Sequence, residues 1–279
     1  MAQKRKRKKS LWQRGKENKK LQAALTILLP AFFGILLLAL WQGEVLHMVF
    51  HTDSYTLPLP TKIGSILTDN LNKIGENTIA TVSVASIGLV LGSLLGYITA
   101  VLAACFPKLG RGGLSIIGAF ASLPVVAMAP VINNWTKDVS NEASVRSMVA
   151  KVIVVMLISA ANMSLNAYRG LTELEPYASD LMATYAAKKS VVLVKLRLPN
   201  SVPYIFVALK VAVPASIMTA IVSEYFAEYI TGVGRQIREN IVLAQYATAW
   251  AYIATACLLG IISYVILMIV QSILLRKYH

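Results

Sequence analysis

Apolar runs with few or no charges recur along the chain at about 23–43, 78–105, 113–134, 149–168, 202–229 and 246–274. A bilayer core about 30 Å thick takes roughly 20 apolar residues of helix. Inside lipid a helix satisfies all its backbone hydrogen bonds within one segment, so each run predicts a spanning α-helix. The second and sixth runs are the clearest, with no charge between Asn77 and Pro107 or between Asn240 and Leu275. The fourth starts at Lys151, whose ammonium is expected to snorkel to the interface. The fifth is the most interrupted, carrying Lys210, Pro214, Glu224 and Glu228. The pattern therefore predicts an all-α integral membrane protein of six transmembrane helices. One membrane domain, 23–279, follows a basic tail, 1–22, with no repeat and no Ser/Gly linker between domains.

Two segments between the runs have patterns of their own. After Leu57-Pro58-Leu59-Pro60, the residues Ile63, Ile66, Leu67, Leu71 and Ile74 recur at near-helical spacing, which predicts an amphipathic helix on the membrane surface. Between Arg169 and Ser201, Leu181, Met182, Tyr185, Leu193, Leu196 and Leu198 do the same, interrupted by Lys188-Lys189-Ser190. With Pro199 ending the pattern and Pro203 opening the next span, this predicts a helix, a bend and a second short helix outside the bilayer. It is either an ordinary interfacial helix or a lever that a partner subunit grips.

Composition agrees with the pattern and charge orients it. Hydrophobic residues make up 56% and charged residues 14%, against roughly 25% charged in a soluble domain. Mean hydropathy is +0.62. The net charge of +14 would suit a nucleic-acid partner, but its distribution is a topology signal. With the N-terminus inside, segments 1–22, 106–112, 169–201 and 275–279 hold 19 Lys and Arg. The opposite segments, 44–77, 135–151 and 230–245, hold seven, and Lys210 lies within the fifth span. Both termini are then expected to be cytoplasmic. The KRKRKK run at 4–9 ahead of an apolar stretch has the form of a signal peptide. That stretch, 21–43, is too long for an h-region and no A-x-A site follows, so an uncleaved first span is expected, its tail held near anionic lipid. Cys105 and Cys257 lie in apolar runs and read as buried small hydrophobes, not a disulfide.

Enzymatic and metal signatures are sparse. No G-x-x-x-x-G-K-[ST] phosphate loop occurs, so ATP is not held here in the usual way. H-E-x-x-H and G-x-S-x-G are absent too, and no cofactor is expected. His47 and His51 have the i, i+4 spacing of a metal pair but no third ligand, so no metal site is assigned. Ionisable and polar groups within spans point by default to function. Glu224 and Glu228, one turn apart, either line a gate or meet water. Asn162 and Asn166 are either interhelical contacts or substrate contacts. Pro214 should kink its helix and free backbone groups. Gly232 and Gly234 suit a turn at the end of the fifth span.

The stretch DLMATYAAKKSVVLVKLRLP, Asp180 to Pro199, resembles the E-A-A-x-x-x-G-x(9)-I-x-L-P loop of ABC importer permeases. Asp180 falls at the Glu, Leu181 and Met182 at the two alanines, Ala186 at the Gly, Leu196 at the Ile, and Leu198-Pro199 at the end. Pro203-Tyr204-Ile205, Ala208-Leu209-Lys210, Glu224 and Gly232-Val233-Gly234 are similar to later family positions. Leu57-Pro58-Leu59-Pro60 and Pro124 to Pro130 resemble the nitrate, sulfonate, taurine and thiamin-precursor branch. The likeness covers roughly 57–275. It implies a type I ABC importer permease fold in a bacterial inner membrane, whose loop, 173–200, contains a cytoplasmic coupling helix docking on a separate ATPase. It further implies a path for a small solute, a second permease copy (a homodimer foremost), and an extracytoplasmic binding protein. A membrane-embedded enzyme, using Glu224 and Glu228, and an ATP-independent carrier are the alternatives.

Overall fold

The computed structural model describes residues 19–120 and 122–275, which are helical except for short connections. The basic tail up to position 18 lies outside the described residues. The chain divides into two compact units, the first ending at Ser65 and the second starting at Ile66.

The first unit contains helix α1, Lys19–Gln42, and the short α2, Val45–Phe50. Glu44 and His51, both at positive φ (62° and 52°), begin and end α2. Helix α3, Pro60–Asp69, starts in this unit; the near-helical pattern of the sequence breaks at Asn70, and Ile74 belongs to the next helix.

The second unit is built on three long helices, α4 (Leu71–Cys105), α7 (Ala143–Thr172) and α10 (Leu198–Tyr225). The pairing of α4 with α7 is the most extensive and that of α7 with α10 comes next. Lipid offers no hydrophobic drive for one apolar helix to leave it for another, so association depends on close packing of small residues. Gly88, Gly92, Gly96, Ala100 and Ala104 recur every fourth residue on α4, and all are buried. A Cβ on Gly88 would stand 2.5 Å from Val155 Cβ, and one on Gly92 or Gly96 would meet the α7 backbone at Met156 or Ala160. Two apolar clusters line this three-helix contact. One joins Ala100, Ala104, Met163, Ala167, Leu171 and Ala208; the other joins Val84, Ala85, Val155, Ile217 and Ala220.

Around this core lie α5 (Pro107–Phe120), α6 (Val125–Trp135), α8 (Ala178–Thr184), α9 (Lys189–Val192), α11 (Val233–Val242) and α12 (Tyr246–Leu274). The third expected span, 113–134, is not one helix: its two halves meet at 96° across a break of at most four residues. Pro124 sits at the break in an extended conformation (φ −67°, ψ 122°) and caps α6, because the proline ring cannot continue a helix begun upstream. Among the described residues four helices are long and apolar enough to cross a membrane, or five if the bent pair counts as one. Large apolar side chains of α12 such as Leu258, Ile262 and Ile269 are exposed, the arrangement expected where the solvent is lipid.

Three other expectations are overturned. Pro199 does not end a short helix: Lys189 to Tyr225 runs as one 37-residue helix. A π-helical turn, Leu193–Arg197, widens the helix just ahead of Pro199, where the missing N–H interrupts the regular ladder, and Leu198 N–H donates to the Leu193 carbonyl. Cys105 and Cys257 are free but exposed on this chain, not buried. Lys151 is 3% exposed: it points into the bundle instead of snorkelling, because α7 begins at Ala143 and carries it two turns inside.

Candidate functional site

The loop that follows α7 is organised by its short helix. Tyr177, at φ 67°, turns the chain into α8, whose first turn holds Asp180, a favourable place for a negative charge near the helix N-terminus. The end of α8 is a Schellman motif: Ala186 N–H donates to the Ala183 carbonyl (2.8 Å) and Ala187 N–H to the Met182 carbonyl (3.0 Å). That motif needs a left-handed residue, and Ala186 adopts it at φ 49°. The glycine of the resembling motif is thus replaced by a residue held in the conformation glycine takes most readily. Leu181 (58% exposed), Tyr177 (81%) and Tyr185 (77%) present uncovered apolar surface, while Met182 is half-buried.

Leu196, Leu198 and Pro199 are not on this helix. They lie in the π turn and first turn of the long helix, where Leu198 packs on the cluster around Ala104 and Leu171. This root is tied to its neighbours. Arg197 Nη1 donates to the Ala104 carbonyl (3.0 Å), and Asn200 Nδ2 donates to the carbonyls of Gly170 (2.7 Å) and Glu173 (3.0 Å). The Tyr97 and Ser201 hydroxyls are 2.9 Å apart. The exposed helix α8 is therefore flanked by anchored segments on both sides in sequence.

A second constellation forms at the Tyr225 end of α10. Glu224 is fully buried. Its Oε2 accepts from the Thr81 hydroxyl and from Gly234 N–H, both at 2.9 Å. Thr81 Oγ1 also accepts from Val233 N–H (2.9 Å), and Asn77 Oδ1 accepts from Gly232 N–H (2.9 Å). Three successive N–H groups at the start of α11, which no intrahelical carbonyl can reach, are thus satisfied by side chains of α4 and α10. The glycines are required by space: Gly232 has φ 102°, and a Cβ there would strike the Glu224 carboxylate. A Cβ on Gly234 would strike the Ile221 carbonyl.

Glu228 does not join Glu224. Helix α10 ends at Tyr225, so the two share no helical face; Glu228 is exposed and pairs with Arg146 at 3.3 Å. Asn162 and Asn166 are half-buried on α7, with Asn166 Nδ2 donating to the Asn162 carbonyl (2.9 Å). They lie 11 and 15 residues beyond Lys151, about 16 and about 22 Å along the helix, far from the Glu224 level. Pro214 lies within α10, which continues past it. His47 Nε2 is 2.6 Å from the Leu57 carbonyl, and among the described residues no cluster of His, Cys, Asp and Glu is fit to hold a metal. Nearby, Thr56 N–H donates to Asp53 (2.9 Å) and holds its carboxyl below the usual range.

Sequence reasoning passed over Thr81, Asn77 and the small-residue stripe of α4. The stripe was legible as G-x-x-x-G-x-x-x-G at 88–96 in an apolar run. Thr81 and Asn77 carried no signal, since their partners are more than 140 residues away.

The described residues thus form a helical membrane bundle that carries an exposed helix on an anchored loop. The chain belongs to the family of binding-protein-dependent transport system inner membrane components, whose model matches residues 88–279. It is the transmembrane permease subunit of an ABC importer for a small solute, working with separate ATPase subunits. The formylaminopyrimidine transport permease protein ThiX of Halalkalibacterium halodurans is 26% identical over 247 residues, 88% of this chain and 94% of that protein. The inward-facing MetNI methionine ABC transporter has a similar fold: TM-score 0.57 at 16% identity, covering 74% of this chain and 94% of that one.

Proposed function

We propose that this permease forms, with a second copy of itself, the path for a thiamin-precursor-like aminopyrimidine handed over by an extracytoplasmic binding protein. α8 is the lever on which the ATPase docks. The observation that carries the docking role is α8 itself, a short helix closed by a Schellman cap with Leu181, Tyr177 and Tyr185 uncovered, between anchored roots. Exposed aromatic and aliphatic side chains of this kind are typical anchors for a partner's groove. The substrate class is supported by the likeness to ThiX along 88% of the chain. A homodimer is supported by the exposed apolar faces and by too few spans for a whole path. The Lys and Arg distribution supports cytoplasmic termini and an inner-facing α8. Six spans take the bent α5–α6 pair as the third and α1, whose apolar part is Leu28–Gln42, as the first. Asn162, Asn166 and Pro214 are path candidates, and no cofactor resides in this chain, ATP being bound by the partner.

The test is reconstitution of the full chain with its ATPase in vesicles. The expected result is ATP hydrolysis that rises when binding protein loaded with a formylaminopyrimidine is added, and uptake of that compound. Hydrolysis without uptake of any aminopyrimidine would overturn the substrate; absence of a retained ATPase would overturn the docking role.

A further inference from the structure

Lys151 is a buried cation inside the bundle that nothing above uses. It lies one turn from Val155 on α7, as Glu224 lies one turn from Ala220 on α10 and Thr81 one turn from Ala85 on α4. Val155, Ala220 and Ala85 meet in one apolar cluster, so the three polar residues flank a single three-helix contact. Lys151 and Glu224 are both buried at the same level of the bundle, one turn from that cluster on α7 and α10. The acid has spare capacity: Oε2 is engaged twice, but Oε1 is buried with no hydrogen-bond partner. Buried beside them, the hydroxyls of Ser223, next to Glu224, and of Ser147, one turn before Lys151, are also unpartnered. Three arginines near this end of α10 are engaged elsewhere: Arg146 with Glu228, Arg235 with Glu239 at 2.6 Å, and Arg238 with the Tyr225 carbonyl. An ionised carboxylate sealed from water is costly unless a counter-charge and hydrogen bonds face it.

We propose that Lys151 is the positioning counter-charge of Glu224, and that this buried pair latches α7 to the turn joining α10 and α11. Glu224 passes the constraint on, since the same carboxylate holds Gly234 and, through Thr81, Val233. With Lys151 in place a positive charge faces the carboxylate and the start of α11 stays capped. Without it, the carboxylate is unmatched and the turn loses its fixed point. The latch rests on the reading of the chain as an ATPase-coupled importer, because its output is coupling across the bundle.

The experiment is a double-mutant cycle on the full chain co-expressed with its ATPase, comparing Lys151→Met, Glu224→Gln and the double variant. Glutamine keeps an oxygen for Thr81 and Gly234, and methionine keeps the apolar stem. Each single variant is expected to lower substrate-stimulated ATP hydrolysis about tenfold or more, and the double variant to recover above the worse single one, as coupled charges do. Lys151→Arg, which restores the charge, should recover part of the activity. Single effects that multiply in the double variant, or a silent Lys151→Met, would overturn the latch. ATPase retained in every variant while the cycle is additive refutes the latch alone; ATPase absent even from the wild type refutes the importer reading instead.

Discussion

Ala186 and Gly232 occupy left-handed backbone positions for different reasons, and substitution should separate them. An L-residue in the left-handed region costs roughly 1–2 kcal/mol, so Ala186→Gly should relieve strain in the cap of α8. Unchanged or improved ATPase coupling, with normal membrane insertion, is the expected outcome. Ala186→Val places a β-branched residue at φ 49° and should disrupt the cap and the coupling together; full coupling in that variant would show that the conformation does not matter. At Gly232 the obstacle is the Glu224 carboxylate itself, so Gly232→Ala should release the start of α11 and abolish uptake, measured in whole cells against expression level. The alignment of Ala186 with a glycine was legible in the sequence; its left-handed backbone was not, because no alanine announces it. Nor was the burial of Lys151, which stands at the start of an uncharged run as snorkelling lysines do. Only the earlier start of α7 places it inside.

At the scale of helices, the period of apolar residues marked where the long helices run but not how they pack or break. The stripe Gly88, Gly92, Gly96 admits the α7 backbone against α4, and no larger side chain fits. Gly92→Leu is expected to separate these helices, lowering the melting temperature of the detergent-solubilised chain and the yield of assembled complex. A control at Gly34, which has no heavy atom within 4 Å of an added Cβ, should change neither. An equal response at both positions would contradict the packing account. The prolines were the misleading signal. Pro124 breaks what looked like one span, whereas Pro199 sits inside a continuous helix because the π turn just before it absorbs the lost hydrogen bond, and the same helix continues past Pro203. A proline marks a missing N–H, and whether the helix stops there depends on what its neighbours hold in place.

At the scale of the molecule, α8 is, among the described residues, a short element with large uncovered side chains between roots fastened to both α4 and α7. Force applied there has a short route to the three-helix core, and the account of an ATP-driven permease depends on that route. The direct measurement is site-specific photo-crosslinking from Leu181 in the full chain co-expressed with its ATPase, with Ile266 on the exposed face of α12 as control. An adduct of one permease and one ATPase chain from Leu181, and none from Ile266, is the predicted result. No ATPase adduct from Leu181 in a complex that still hydrolyses ATP in response to substrate would contradict the account.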